Sequence, residues 1–158
     1  MDNKAFADAV RDHPFVEGLK PAYLEKFASL ALEVQFGRDE KIFQEGETSG
    51  RFYLLLSGKV ALEVSAPGRI LRIQTLGAGD ELGWSSVVSA GGKHFQARSL
   101  EPVRALAFDG QRLRQICEQE PAFGYAVMQR LLRVVAERLQ ATRMQLVDMY
   151  APRGAKLV

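Results

Sequence analysis

The apolar positions of this chain change their period twice. Between residues 4 and 32 they recur in steps of three and four: Phe6 to Val10, Phe15 to Leu19, Leu24 to Phe27 and Phe27 to Leu30. That spacing stacks them on one side of a helix. Pro14 and Pro21 cut the zone into short helices, and Pro21 suits a first helical turn after Lys20. From 33 to 108 short β-prone runs take over: Glu33–Phe36, Lys41–Gln44, Phe52–Leu56, Val60–Val64, Ile70–Leu76, Phe95–Ser99 and Arg104–Phe108. Glycine-bearing turns separate most of them, including Ser57-Gly58, Pro67-Gly68 and Gly77-Ala78-Gly79-Asp80. Val60-Ala61-Leu62-Glu63-Val64 has one strongly apolar face, with Glu63 on the other, as a half-buried strand would. From 109 to 150 the helical period returns. Asp109 can cap a short helix reaching Cys117, and Pro121 opens a long one running to about Met149.

Helices, then a β-roll, then helices predict an α+β fold built on a β jelly roll, with a long C-terminal helix. The domain reading is one unit over 1–150, followed by a flexible tail over 151–158 that holds Pro152 and Gly154. On the long helix Leu132, Val135, Leu139, Thr142, Leu146 and Met149 alternate in steps of three and four. This stripe either packs on the chain's own roll or pairs with its copy in a second chain, as an a/d seam does. A homodimer through that helix is expected.

Composition narrows the class. Apolar types make up 47% and charged types 25% of the 158 residues, enough apolar surface for one packed domain and too much for a disordered chain. With 21 Lys and Arg against 19 Asp and Glu the net charge is only +2, whereas a dedicated nucleic-acid binder concentrates more positive charge. One cysteine excludes an internal disulfide. The mixed-charge N-terminus has no signal-peptide run, and no stretch reaches the roughly 18 apolar residues of a membrane span. A cytoplasmic protein is expected.

Enzyme templates fail. The two histidines, His13 and His94, sit in no nucleophile or metal motif, and His13 reads as a surface or satisfied structural residue. Cys117 shares an apolar helix pattern with Leu113 and Ile116 and reads as a small core residue. No metal, resident cofactor or catalytic residue is expected. The four arginines of the long helix, Arg130, Arg133, Arg138 and Arg143, read as a solvated face. The informative stretch is Leu76 to Val88, where Gly77, Gly79 and Gly83 lie between a strand and a short helical pattern. Gly83 permits unusual backbone angles, and a helix starting after it would aim free N–H groups outward. That end either binds a phosphate, helped by the Ser85 and Ser86 hydroxyls and by Lys93 or His94, or is a tight crossover without a ligand.

From about Pro14 to Tyr150 the chain resembles the cyclic-nucleotide-binding domain family, the sensory half of catabolite-activator-type regulators. The resemblance rests on Ile42-Phe43-Gln44-Glu45-Gly46-Glu47, Phe52-Tyr53-Leu54-Leu55-Leu56-Ser57-Gly58-Lys59-Val60, Leu76-Gly77-Ala78-Gly79-Asp80 and Ala97-Arg98-Ser99-Leu100-Glu101-Pro102-Val103. It implies an eight-stranded roll, a phosphate-holding cassette around Gly83, Trp84, Ser85 and Ser86, and a dimerisation helix. In nucleotide-binding members a glutamate follows the cassette glycine and an arginine stands about ten residues later; here Trp84 and Lys93-His94 occupy those places. Trp84 either stacks on a base or plugs the pocket. In regulators a winged helix-turn-helix follows the long helix; with the sequence ending at Val158, no such DNA-reading module is expected. The cassette Gly83-Trp84-Ser85, the later Phe95-Gln96-Ala97-Arg98 and the ending Arg138 to Leu146 also resemble short bacterial proteins of this one domain, among them the accessory subunit of a cytoplasmic NAD-reducing hydrogenase. The implied function is a non-catalytic sensing module for a cyclic nucleotide such as cyclic AMP, or else an interaction subunit of a larger oxidoreductase complex linked to NADPH.

Overall fold

The computed structural model describes residues 2–44, 46, 50–88 and 95–151. Lys93 and His94, and the tail from Pro152, lie outside them. The N-terminal helices are α1 (Asn3–Asp12) and α2 (Pro21–Ser29), joined by a 3-10 turn over Pro14–Val16. Asp2 caps α1 by accepting from the Ala5 amide at 2.7 Å, and Pro21 opens α2 as expected.

Eight strands follow: β1 (Leu32–Phe36), β2 (Lys41–Phe43), β3 (Arg51–Ser57), β4 (Val60–Ala66), β5 (Arg69–Leu76), β6 (Glu81–Leu82), β7 (Gln96–Ser99) and β8 (Val103–Asp109). They make two four-stranded antiparallel sheets, ordered β1-β8-β3-β6 and β2-β7-β4-β5. The seven runs read from the sequence match seven of these strands. The two-residue β6 lies in the glycine-rich stretch and carries no period of its own. Three helices complete the chain: α3 (Ser85–Val88), α4 (Gly110–Gln119) and α5 (Pro121–Tyr150). Asp109 caps α4 by accepting from the Arg112 amide at 2.9 Å. No helix of the described residues is long and apolar enough to cross a membrane.

Two apolar cores share one sheet. Along β3, Phe52 and Leu54 face the helices, while Tyr53 and Leu55 face the interior of the roll. Both faces are covered, which is why that run shows no alternation. On β8 the inward residues are small, Ala105 and Ala107, and the outward ones large, Leu106 and Phe108. The helix-side core is aromatic: Phe27 stacks on Phe108 at 4.2 Å between centroids, and Phe15 packs on Phe52 at 5.1 Å.

α5 seats its first half on that core through Phe123, Val127, Leu131 and Val134. Of the stripe singled out from the sequence, four residues stay largely in solvent: Leu132 is 68% exposed, Leu139 49%, Leu146 51% and Met149 79%. Two readings need correction. Glu63 is buried, because Gln96 and Arg98 of the neighbouring strand close over it, with its Oε1 accepting from Gln96 Nε2 at 3.1 Å and Arg98 Nε at 3.2 Å. The arginines of α5 are not uniformly solvated either. Arg130 donates to the Glu17 carbonyl at 2.9 Å and to Ala126 at 3.0 Å, and Arg138 continues the core-facing stripe toward the roll.

Candidate functional site

A cavity of about 270 Å³ lies between the roll and the second half of α5. Its floor comes from strands: Phe43 of β2, Leu62 of β4, Ile73 and Gln74 of β5, and Leu82 of β6. Adjacent residues of a strand normally point to opposite faces. Ile73 and Gln74 share the cavity because the β4–β5 register slips there: Leu62 pairs with Gln74, but Glu63 pairs with Arg72. Ile73 is therefore the extra residue of a bulge. Its carbonyl accepts instead from Gln145 Nε2 on α5.

The next wall is the glycine-rich stretch. Asp80 closes the turn before β6, its Oδ2 accepting from the Gly77 amide at 2.8 Å, and Gly79 N–H donates to the Leu55 carbonyl at 3.0 Å. Leu82 pairs with Tyr53, and Gly83, at φ +81, then swings the chain into Trp84 and α3. Gly83, Trp84 and Ser85 line the cavity with Phe95, which precedes β7. Trp84 also packs on the helix-side core, so its ring is held from behind while it borders the space. Ser86 does not line the cavity. Its hydroxyl donates to the Gly83 carbonyl at 2.7 Å, and its Cβ and Oγ lie against Gly110 at the start of α4. The anion-binding turn expected here is also reduced: α3 is four residues long, and the Ser86 and Val87 amides already bond Gly83 and Trp84.

α5 supplies the remaining wall through Val135, Arg138, Leu139 and Thr142. Three of the six seam residues read from the sequence thus face the cavity, while Leu132, Leu146 and Met149 do not. The guanidinium of Arg138 donates to the Glu81 carbonyl, and the Thr142 hydroxyl bonds back to the Arg138 carbonyl at 2.9 Å. Burial pushes the Glu81 carboxyl up to about 7, with Asp80 and Glu137 adding to the rise and the Arg138 charge opposing it. Burial likewise lowers the Arg138 pKa, offset by the acidic charges of Glu81, Asp80 and Glu137. Sequence reasoning missed Arg138, although Leu131, Val134 and Arg138 in steps of three and four put it on the core-facing stripe. Arg98 is engaged elsewhere, with Glu63 and with Asp39 at 3.2 Å.

The other residues weighed from the sequence are structural. His13 is buried: its Nδ1 accepts from the Phe15 amide at 3.1 Å, capping the 3-10 turn. Its Nε2 lies buried beside the Leu55 and Asp80 backbone without a well-formed hydrogen bond. Cys117 is buried, and that burial pushes its thiol up to about 11, out of reach of thiolate chemistry near neutral pH. Among the described residues no group of three or more His, Cys, Asp or Glu is placed to hold a metal ion.

The roll and long helix that frame this cavity have counterparts in known proteins. The family model described as Cyclic nucleotide-binding domain matches residues 33–120. The chain belongs to the cyclic nucleotide-binding domain family. It is 31% identical over 134 residues to a "CRP-like cAMP-activated global transcriptional regulator" of Mycobacterium tuberculosis, a match covering 84% of this chain and 58% of that protein. The chain thus spans little more than half the length of its curated relative. A cyclic nucleotide-binding domain from Methylobacillus flagellatus has the same fold, with TM-score 0.79 and 19% identity, over 98% of this chain and 88% of that one. The Thermus thermophilus catabolite activator protein shares it too, with TM-score 0.70 and 24% identity, over 86% of this chain and 62% of that one.

Proposed function

We propose that this chain is a non-catalytic ligand-sensing module, in which a small molecule in the cavity sets the position of α5 and α5 carries that state to a second copy or to a partner protein. The observation that supports it is the composition of the helix wall. Four residues of one helix, Val135, Arg138, Leu139 and Thr142, border the space. Two side-chain clasps, Arg138 on the Glu81 carbonyl and Gln145 on the Ile73 carbonyl, tie that half of α5 to the roll. Seven residues apart, they stand about two turns along one face. A molecule entering the cavity meets this face, so the free energy of the helix position depends on occupancy. The exposed seam Leu132, Leu139, Leu146 and Met149 supports a homodimer through α5.

The cAMP-activated name of the mycobacterial relative makes cyclic AMP the reference ligand. A thermal-shift series with cyclic AMP, cyclic GMP and NADPH tests the reading. A ligand at a hundred times its dissociation constant adds about 2.7 kcal/mol, which raises the melting temperature of a domain this size by several degrees. A rise with a cyclic nucleotide supports the sensor. A rise with NADPH alone favours the hydrogenase-type accessory subunit. No rise with these ligands or with the acids named in the next subsection would overturn ligand sensing.

A further inference from the structure

We infer that the cavity takes a small apolar carboxylic acid, of one ring or a medium-length chain, whose carboxylate is held by Arg138. The inference rests on the ligand-sensing reading and names the chemistry of the ligand.

The lining is the first reason. Strand side chains Phe43, Leu62 and Leu82, the indole of Trp84, and Val135 and Leu139 of α5 present carbon to the space. The Thr142 hydroxyl already donates to the Arg138 carbonyl, which leaves Gln74 as the side-chain amide among the described lining residues. A nucleotide carries sugar hydroxyls and base edges that need partners when water is removed, and each one left unpaired costs affinity. An apolar body meets no such cost. At about 270 Å³ the space is just below the usual 300–1,000 Å³ of ligand pockets, which favours a small ligand.

The second reason is the one cation among the described lining residues. Arg138 has five N–H donors in a planar fork, and its hydrogen bond within the protein runs to the Glu81 carbonyl. The charged groups around it are Glu81, Asp80 and Glu137; the ion pairs among the described residues include none with Arg138. Glu81, the most buried of the three, titrates near 7 and is therefore partly protonated at neutral pH, which weakens its competition for the guanidinium. A cation in an apolar cavity needs a counter-charge, and a carboxylate matches the guanidinium fork with two parallel hydrogen bonds. Because Arg138 sits on α5, the anion is bound by the helix that reports occupancy.

Trp84 is the single tryptophan and borders the cavity, so its fluorescence reports binding in the intact chain. The probes are phenylacetate and octanoate, their uncharged amides, and cyclic AMP. We expect at least one acid to change the Trp84 signal saturably, with its amide at least tenfold weaker. Arg138→Met should weaken the acid at least tenfold and leave the amide unchanged, and Arg138→Lys should recover part of the loss. Circular dichroism establishes that each variant is folded; if Arg138→Met does not fold, the acid–amide comparison on the unaltered chain and the lysine variant carry the test. An acid and amide that bind alike, or an acid indifferent to Arg138→Met, would overturn the inference. Saturable cyclic AMP binding with neither acid bound would overturn the ligand class and leave the sensor standing, whereas silence from every probe, with cyclic GMP and NADPH silent too, would overturn both.

Discussion

His13 and Glu81 are buried groups whose titration opposes each other. Burial lowers the His13 pKa, partly offset by the Asp80 and Leu55 backbone and the Asp80 charge. The fold therefore holds His13 neutral, while the unfolded chain protonates near 6.5. Unfolding takes up a proton below that pH, and stability falls as pH is lowered through 6.5. Glu81 behaves in the opposite sense: it keeps its proton up to about 7 in the fold, against 4.5 when unfolded. Unfolding releases that proton between the two values, so stability falls as pH rises from 4.5 to 7 and stays lowered above it. Urea unfolding from pH 5 to 8 should show Glu81→Gln gaining on the unaltered protein toward pH 8. His13→Asn, which keeps an acceptor for the Phe15 amide, should flatten the acid limb. A Glu81→Gln difference independent of pH would contradict the burial of that carboxylate.

At the scale of elements, the position of α3 depends on a glycine. A Cβ on Gly110 would stand 2.5 Å from the Ser86 carbonyl oxygen and 2.6 Å from Ser86 Cβ. Gly110→Ala should cost about 1–3 kcal/mol as overpacking and shift the Trp84 emission, since α3 follows directly on Trp84. Gly68, at φ +75 in the β4–β5 turn, meets nothing within 4 Å. Gly68→Ala should cost about 1–2 kcal/mol through backbone strain alone and leave Trp84 emission unchanged. Urea unfolding and fluorescence spectra of the two variants check both statements. Elements of this length were legible in the sequence where a period or a cap marked them. α5 was expected from Pro121 to about Met149 and runs to Tyr150, and Asp109 caps α4 as read. Faces were less legible. Ile73 and Gln74 share the cavity through a bulge that no pattern announces, and Glu63 is covered by strand neighbours distant in sequence. Arg138 was hidden by its residue type, because its charge masked a core-facing spacing.

In the whole molecule, α5 belongs to two environments. Its first half is buried on the aromatic core, and its second half closes a cavity while leaving an apolar seam in solvent. Within the proposed dimer that seam is covered, so charging it should separate the copies without unfolding them. Leu132→Glu combined with Leu146→Glu should convert a dimer into a monomer by sedimentation, with circular dichroism unchanged, because neither side chain is in the core. A chain already monomeric at high concentration would contradict that arrangement. The fold was legible at this scale because its glycine turns and its change of period follow one another in a fixed order. The cavity was not, because it is formed by side chains from β2, β4, β5, β6 and α5 that only the closed roll brings together. In the proposed sensor, occupancy of this cavity is felt by α5. Hydrogen exchange over residues 135–150, with and without whichever ligand saturates the Trp84 signal, tests it most directly. Exchange in this half of α5 should change on binding while residues 123–134, seated on the core, stay as they were. Saturable binding with no change along 135–150 would contradict it.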